Sequence, residues 1–203
     1  MALEQEVKLA LPDAAAYQRV CDGLSGFEGE NEQSNTYWDR EDRVLTRAGV
    51  LLRLRFEGGG ATLTVKKGAS VEGDGTFRVE EDEAPVDVEL ARAIAAGERE
   101  FASLESPVLD RLVGHFGDLA PWTKWGAMQN VRRCYRTASG LLLEVDRTVF
   151  PSGAVEWEVE AESDDPEAAA VEVRGLLDAL GVDYEPQTRS KSDRLRADLE
   201  SAS

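Results

Sequence analysis

Near its start the chain runs Leu3-Glu4-Gln5-Glu6-Val7-Lys8-Leu9. Successive side chains of a strand point to opposite faces, so Glu4, Glu6 and Lys8 share one face and Leu3, Val7 and Leu9 the other. Two carboxylates about 7 Å apart along a strand, with an ammonium next in line, suit a hard divalent cation with an anion beside it. One such strand is equally what a solvated surface shows. The pattern, however, returns down the chain. Arg53 and Arg55 alternate with Leu52, Leu54 and Phe56, and Lys66 shares parity with Thr62 and Thr64 against Leu63 and Val65. Arg78, Glu80 and Asp82 stand against Phe77 and Val79. Arg132 falls opposite Arg133 and Tyr135, Glu144 and Asp146 fall together, and Glu158 and Glu160 alternate with Trp157, Val159 and Ala161.

These side chains need strands to carry them. Alternation predicts eight strands, at about 3–9, 34–40, 50–56, 61–67, 76–83, 131–137, 141–148 and 155–161. Asp13 caps a first helix whose stripe is Tyr17, Val20, Cys21 and Leu24. A helical insert occupies about 86–127, with Trp122 and Trp125 packing the connection back. Asp165-Pro166 opens a C-terminal helix over about 166–181. The tail beyond Pro186 is polar and basic at Arg189-Ser190-Lys191.

Six of the eight strands carry ionisable residues at alternate positions, of both signs. Helices, and no second sheet, are available to cover the apolar faces. The architecture this predicts is α+β: an eight-stranded antiparallel β-barrel with helices packed on the outside and the charged faces lining its lumen. Buried charges persist only when paired or ligated. Carboxylates at one side and Arg and Lys around the rest suit a polyanion held through a divalent metal, since Arg forks match phosphate oxygens.

Composition narrows the classes further. A net charge of −17 over 203 residues argues against nucleic acid as a partner. Cys21 and Cys134 follow no metal-binding spacing and suggest a reducing compartment. There is no run of 18 apolar residues and the opening residues are charged, so a cytoplasmic protein with no membrane contact is expected. Gly58-Gly59-Gly60 is a turn without the Lys-Ser/Thr of a phosphate loop.

The Glu4-x-Glu6-x-Lys8 motif resembles the signature of the CYTH domain, in the triphosphate tunnel metalloenzyme superfamily. Arg53-x-Arg55, Lys66, Arg78-x-Glu80, Asn130-Val131-Arg132, Leu143-Glu144-Val145-Asp146, Glu158-Val159-Glu160 and Lys191 continue that pattern in order. The plant-type inorganic triphosphatases look closest. The resemblance implies one tunnel domain over 1–203 and hydrolysis of the terminal phosphate of inorganic triphosphate or a related linear triphosphate, dependent on Mg²⁺ or Mn²⁺. It implies Glu4, Glu6, Asp146, Glu158 and Glu160 as metal ligands, with Glu4, Glu6, Glu158 and Glu160 central to catalysis. Lys8, Arg53, Arg55, Lys66, Arg78, Glu80, Arg132 and Lys191 would line the triphosphate. An adenylyl cyclase making cyclic AMP, a thiamine triphosphatase and a non-enzymatic polyphosphate or nucleotide binder remain alternatives. A monomer or homodimer is expected.

Overall fold

The computed structural model describes residues 2–201. Its elements are β1 (Ala2–Leu11), α1 (Ala14–Gly23), β2 (Phe27–Arg40), α2 (Val44–Arg47), β3 (Val50–Glu57), β4 (Gly60–Val71), β5 (Thr76–Val86), α3 (Val88–Ala95), α4 (Pro107–Phe116), β6 (Trp122–Arg136), β7 (Leu142–Val149), β8 (Val155–Glu162), α5 (Pro166–Ala179), β9 (Glu185–Pro186) and α6 (Lys191–Ser201). The strand order is β5-β4-β3-β2-β6-β7-β8-β1-β9, and β5 also pairs with β1. That last pairing returns the sheet to its start, giving the eight-stranded antiparallel barrel, with β9 a short addition to β1.

The chain divides into two compact units. One comprises Gln33–Ala69 and Val79–Met128 with the first residues through Leu3. The other comprises Glu4–Glu32, Ser70–Arg78 and the chain from Gln129 on. Each has its own apolar core. In the first, Leu52, Leu54, Leu63 and Val65 of β3 and β4 meet Ile94, Val108, Leu109 and Leu112 of α3 and α4. In the second, Val7, Leu9, Val145 and Val159 meet Val20 and Cys21 of α1 and Ala169, Ala170, Val173 and Leu177 of α5. These are the apolar halves of the alternating strands, so the helices cover them and the charged halves face the other way.

Helix starts follow local chemistry. Asp13, Asp87 and Asp165 accept hydrogen bonds from Ala16, Leu90 and Ala168 amides at 2.8, 2.7 and 3.0 Å. The insert is less helical than its periodicity suggests, because Gly97, at φ +80°, ends α3. Two strands begin well before the point that alternation indicates. β2 begins at Phe27, where Glu28 and Glu30 form ion pairs with Arg136 and Arg133 at 2.6 Å each. β6 begins at Trp122, so Trp122 and Trp125 are strand residues, packed on Phe101 and Tyr37 at ring separations of 4.9 and 5.2 Å. The polar tail is also different: it forms α6. Ser190 Oγ accepts the Asp193 amide at 3.1 Å and Asp193 returns a carboxylate to Ser190, a reciprocal cap, and Leu195 is fully buried.

Candidate active site

Within the second unit, strand register brings one charged face together. Lys8 lies opposite Glu160 on the β1–β8 ladder. Glu144 and Asp146 lie opposite Glu160 and Glu158 on β7–β8, and Arg132 opposite Asp146 on β6–β7. Asp146, Glu158 and Glu160 are 0%, 1% and 3% exposed, and a ligand oxygen from each lies within 4.8 Å of the others.

Among the described residues, four cations hold these carboxylates. Arg132 binds Asp146 through Nε and Nη2 at 2.9 and 2.6 Å and reaches Glu160 at 2.7 Å, with Glu144 on its other terminal nitrogen. Lys8 bridges Glu6 at 2.8 Å and Glu160 at 2.6 Å. From α6, Lys191 donates to Asp146 at 2.8 Å and to Glu160 at 2.7 Å, and also pairs with Glu158. Arg194, 6% exposed, binds both oxygens of Glu158 at 2.9 and 2.7 Å and pairs with Glu156. Arg194 is absent from the sequence-derived set. The signal was there: Ser190-x-x-Asp193 is a capping pair, and it puts Lys191 and Arg194 one turn apart on the same helix face.

Electrostatics follow from this pairing. Burial alone would push Asp146 up, but the charges of Arg132 and Lys191 hold it down at about 2. Glu160 is likewise held well below the carboxylate range, burial being outweighed by Lys191, Lys8 and Arg132. Lys8 and Lys191 are raised, because neighbouring carboxylates outweigh the burial that favours their neutral forms. Glu144 is raised, chiefly by burial. Arg133 lies on the opposite face of β6 and pairs with Glu30, so Arg132 is the one that joins the cluster.

The first unit holds a second polar face. Register aligns Asn35 and Tyr37 of β2 with Arg55 and Arg53 of β3, and these with Thr62 and Thr64 of β4, with Lys66 two residues on. Arg55 Nε donates to Asn35 at 3.1 Å. Arg53 has no carboxylate partner among the described residues: Nη2 meets Thr64 Oγ1 at 3.3 Å, and its Nε is buried without an acceptor. Lys66 pairs with Glu81 at 2.6 Å.

On β5 the expected charged face departs from the sequence reading. Phe77, not Arg78, meets Lys8, whose Nζ lies 5.2 Å from the ring centroid. Arg78 donates to Gln5 at 2.9 Å and pairs with Glu72, on the face of β1 opposite Glu6 and Lys8. The side chain of Glu80 is 53% exposed and pairs with Lys67. Parity on this strand was ambiguous because both faces turn acidic from Glu80 on, and a one-residue shift exchanges them. Glu4 lies half-buried on β1, on the face of Glu6, outside the three-carboxylate group.

The CYTH domain family model matches residues 2–189. This chain belongs to the CYTH domain family. A solved structure similar to this chain is that of HpAC1 from Hippeastrum, provisionally assigned as an adenylyl cyclase and described as having a dominant triphosphatase activity. It is 30% identical with a TM-score of 0.89, covering 96% of this chain and 95% of that one. A protein of Bacillus halodurans provisionally assigned as an adenylate cyclase shares the fold at 18% identity and a TM-score of 0.69, covering 96% and 98%. PH1819 of Pyrococcus horikoshii does so at 19% and 0.61, covering 95% and 98%. No curated protein matches the chain.

The donor set of this CYTH protein fits a hard divalent ion. All three clustered donors are carboxylates, the ligands Mg²⁺ and Mn²⁺ take. Around them Lys8, Arg132, Lys191 and Arg194 face Glu6, Glu144, Asp146, Glu156, Glu158 and Glu160, an excess of two negative charges.

Proposed function

We propose that this CYTH protein is a divalent-metal-dependent phosphohydrolase that removes the terminal phosphate of inorganic triphosphate or a related linear triphosphate. The buried group of Asp146, Glu158 and Glu160, with an excess of two negative charges around it, is the observation that carries this reading. The dominant triphosphatase activity described for HpAC1 supports hydrolysis over cyclisation.

In this reading Asp146, Glu158 and Glu160 hold Mg²⁺ or Mn²⁺, with Glu4 and Glu6 completing the acidic set that the family resemblance assigns. The ion, when bound, supplies Lewis acidity to a phosphate oxygen. Lys8, Arg132 and Lys191 neutralise charge on the phosphate chain, and Arg53, Arg55 and Lys66 keep the substrate-binding role that the family resemblance assigns. Arg53 suits this task because its Nε has no acceptor of its own. Arg78 and Glu80 are engaged elsewhere, Arg78 with Gln5 and Glu72 and Glu80 with Lys67. Little covalent chemistry falls to the protein: positioning and electrostatic stabilisation carry the transfer of the phosphoryl group to water. We further propose a single functional domain over 1–203, acting in the cytoplasm without nucleic acid. No helix of the described residues is long and apolar enough to cross a membrane.

The test is phosphate release from inorganic triphosphate with Mg²⁺ or Mn²⁺, against a chelator control and Glu160→Gln. Release abolished by both supports the proposal. Conversion of ATP to cyclic AMP without triphosphate hydrolysis would replace it with a cyclase. Triphosphate binding without turnover would leave a binding module.

A further inference from the structure

The Lys191 ammonium contacts Asp146 Oδ2 at 2.8 Å, Glu160 Oε1 at 2.7 Å and Glu158 Oε1. Those are the three carboxylates whose ligand atoms lie within 4.8 Å of one another. The other cations of the cluster meet fewer of the three: Lys8 touches Glu160 and Glu6, and Arg194 touches Glu158 and Glu156. Arg132 touches Asp146, Glu160 and Glu144. Lys191 therefore stands where a divalent ion bound by this triad would stand.

Its place in the chain points the same way. Lys191 is the first residue of α6, just after the Ser190 cap. A cation there opposes the positive end of the helix dipole, so the helix gives it no reason to be basic. The carboxylates do. A lysine is also the cation suited to leaving: a compact charge on a flexible four-carbon stem, without the planar guanidinium that ties Arg132 through two nitrogens to Asp146 and Arg194 through two nitrogens to Glu156 and Glu158.

We propose that Lys191 is an exchangeable internal cation: it occupies the centre of the triad in the metal-free protein, is displaced when the divalent ion binds, and its released ammonium then serves the substrate phosphates. This rests on the reading that the triad holds metal. An ammonium and a divalent ion cannot share the same three oxygens without strong repulsion, so loading requires the exchange. The triad thereby keeps a cation at its centre in both states, so its three buried carboxylates are never left facing one another alone.

The test is Mn²⁺ binding by calorimetry, without substrate, to the full chain, to Lys191→Met and to Lys8→Met, together with thermal unfolding of each in chelator and in Mn²⁺. Lys191→Met should bind Mn²⁺ about tenfold or more tightly than the wild type, since no competitor remains. It should be less stable than the wild type in chelator, and that gap should close in Mn²⁺. Lys8→Met removes the same charge beside Glu160 without vacating the triad's centre, and its stability gap should persist in both conditions. Equal tightening in both variants reduces the effect to general electrostatics and overturns the proposal. So does a Lys191→Met gap that Mn²⁺ leaves open. Mn²⁺ binding to none of the three proteins overturns the metal reading itself.

Discussion

Arg194 of α6 reaches back to β8 and takes both oxygens of Glu158 on one terminal nitrogen, at 2.9 and 2.7 Å. Glu158 is almost fully buried, so this contact decides whether its charge is compensated. Arg194→Met should destabilise the metal-free protein by about 3 kcal/mol, the scale of an uncompensated buried charge. Arg194→Lys should recover part of that, since one ammonium replaces the charge but not the fork. Denaturant unfolding in chelator measures both. A loss under about 1 kcal/mol for the methionine variant would mean that Lys191 alone suffices for Glu158.

Arg53 makes the opposite prediction for stability. Its buried Nε has no acceptor, a debt of about 1–3 kcal/mol for an unmet donor. Arg53→Met should leave the fold intact or stabilise it by about 1 kcal/mol, while triphosphate affinity falls about tenfold or more for a lost charge-assisted contact. Unfolding and calorimetry on the same variant separate the two effects. Lower stability with unchanged affinity would refute the substrate-binding role.

Acid sensitivity follows from Asp146. Its folded pKa of about 2 lies below the ordinary 3.8, so the stability it contributes is complete above about pH 4 and is lost as pH falls toward 2. Asp146 alone is worth about 2 kcal/mol on this account, and Glu160, shifted the same way, adds to it. Glu144 acts in the other sense: its raised pKa favours the folded state as it protonates. Unfolding free energies of the metal-free protein should therefore drop between pH 4 and 2, and Asp146→Asn should flatten that drop.

Gly75 offers a test of backbone geometry. It sits at φ +91°, its carbonyl accepts the Lys8 amide at 2.9 Å, and an added Cβ would lie 2.4 Å from the Lys8 carbonyl oxygen. Gly75→Ala should cost about 2–4 kcal/mol, from the left-handed conformation and the clash together. Because the clash falls on the backbone of Lys8, triphosphate hydrolysis should decline with stability. A variant as stable and active as the wild type would count against this contact.

Much of this was legible in the sequence because period-two alternation is written directly into residue order. Glu6, Lys8, Arg132, Glu144, Asp146, Glu158 and Glu160 share one face because register carried parity from strand to strand. Parity was weakest on β5, where charge on both faces hid that Phe77 is the residue beside Lys8. The long starts of β2 and β6 were hidden for a different reason: ion pairs such as Glu30 with Arg133 join residues 103 apart, which no local window contains. α6 escaped because its apolar content is slight; it is held by Leu195 and by ion pairs of Lys191 and Arg194, which composition reads as solvated tail.

The family match ends at residue 189, while Lys191 and Arg194 supply two of the four cations around the triad. The border drawn by sequence similarity therefore cuts through the chemistry. A truncation made at that border would keep every strand and all three carboxylates of the triad, yet it would strip Glu158 of both its α6 partners and turn a pocket that carries its own central cation into a cation trap. Relatives trimmed to the shared core would then report metal affinities that belong to the cut and not to the protein.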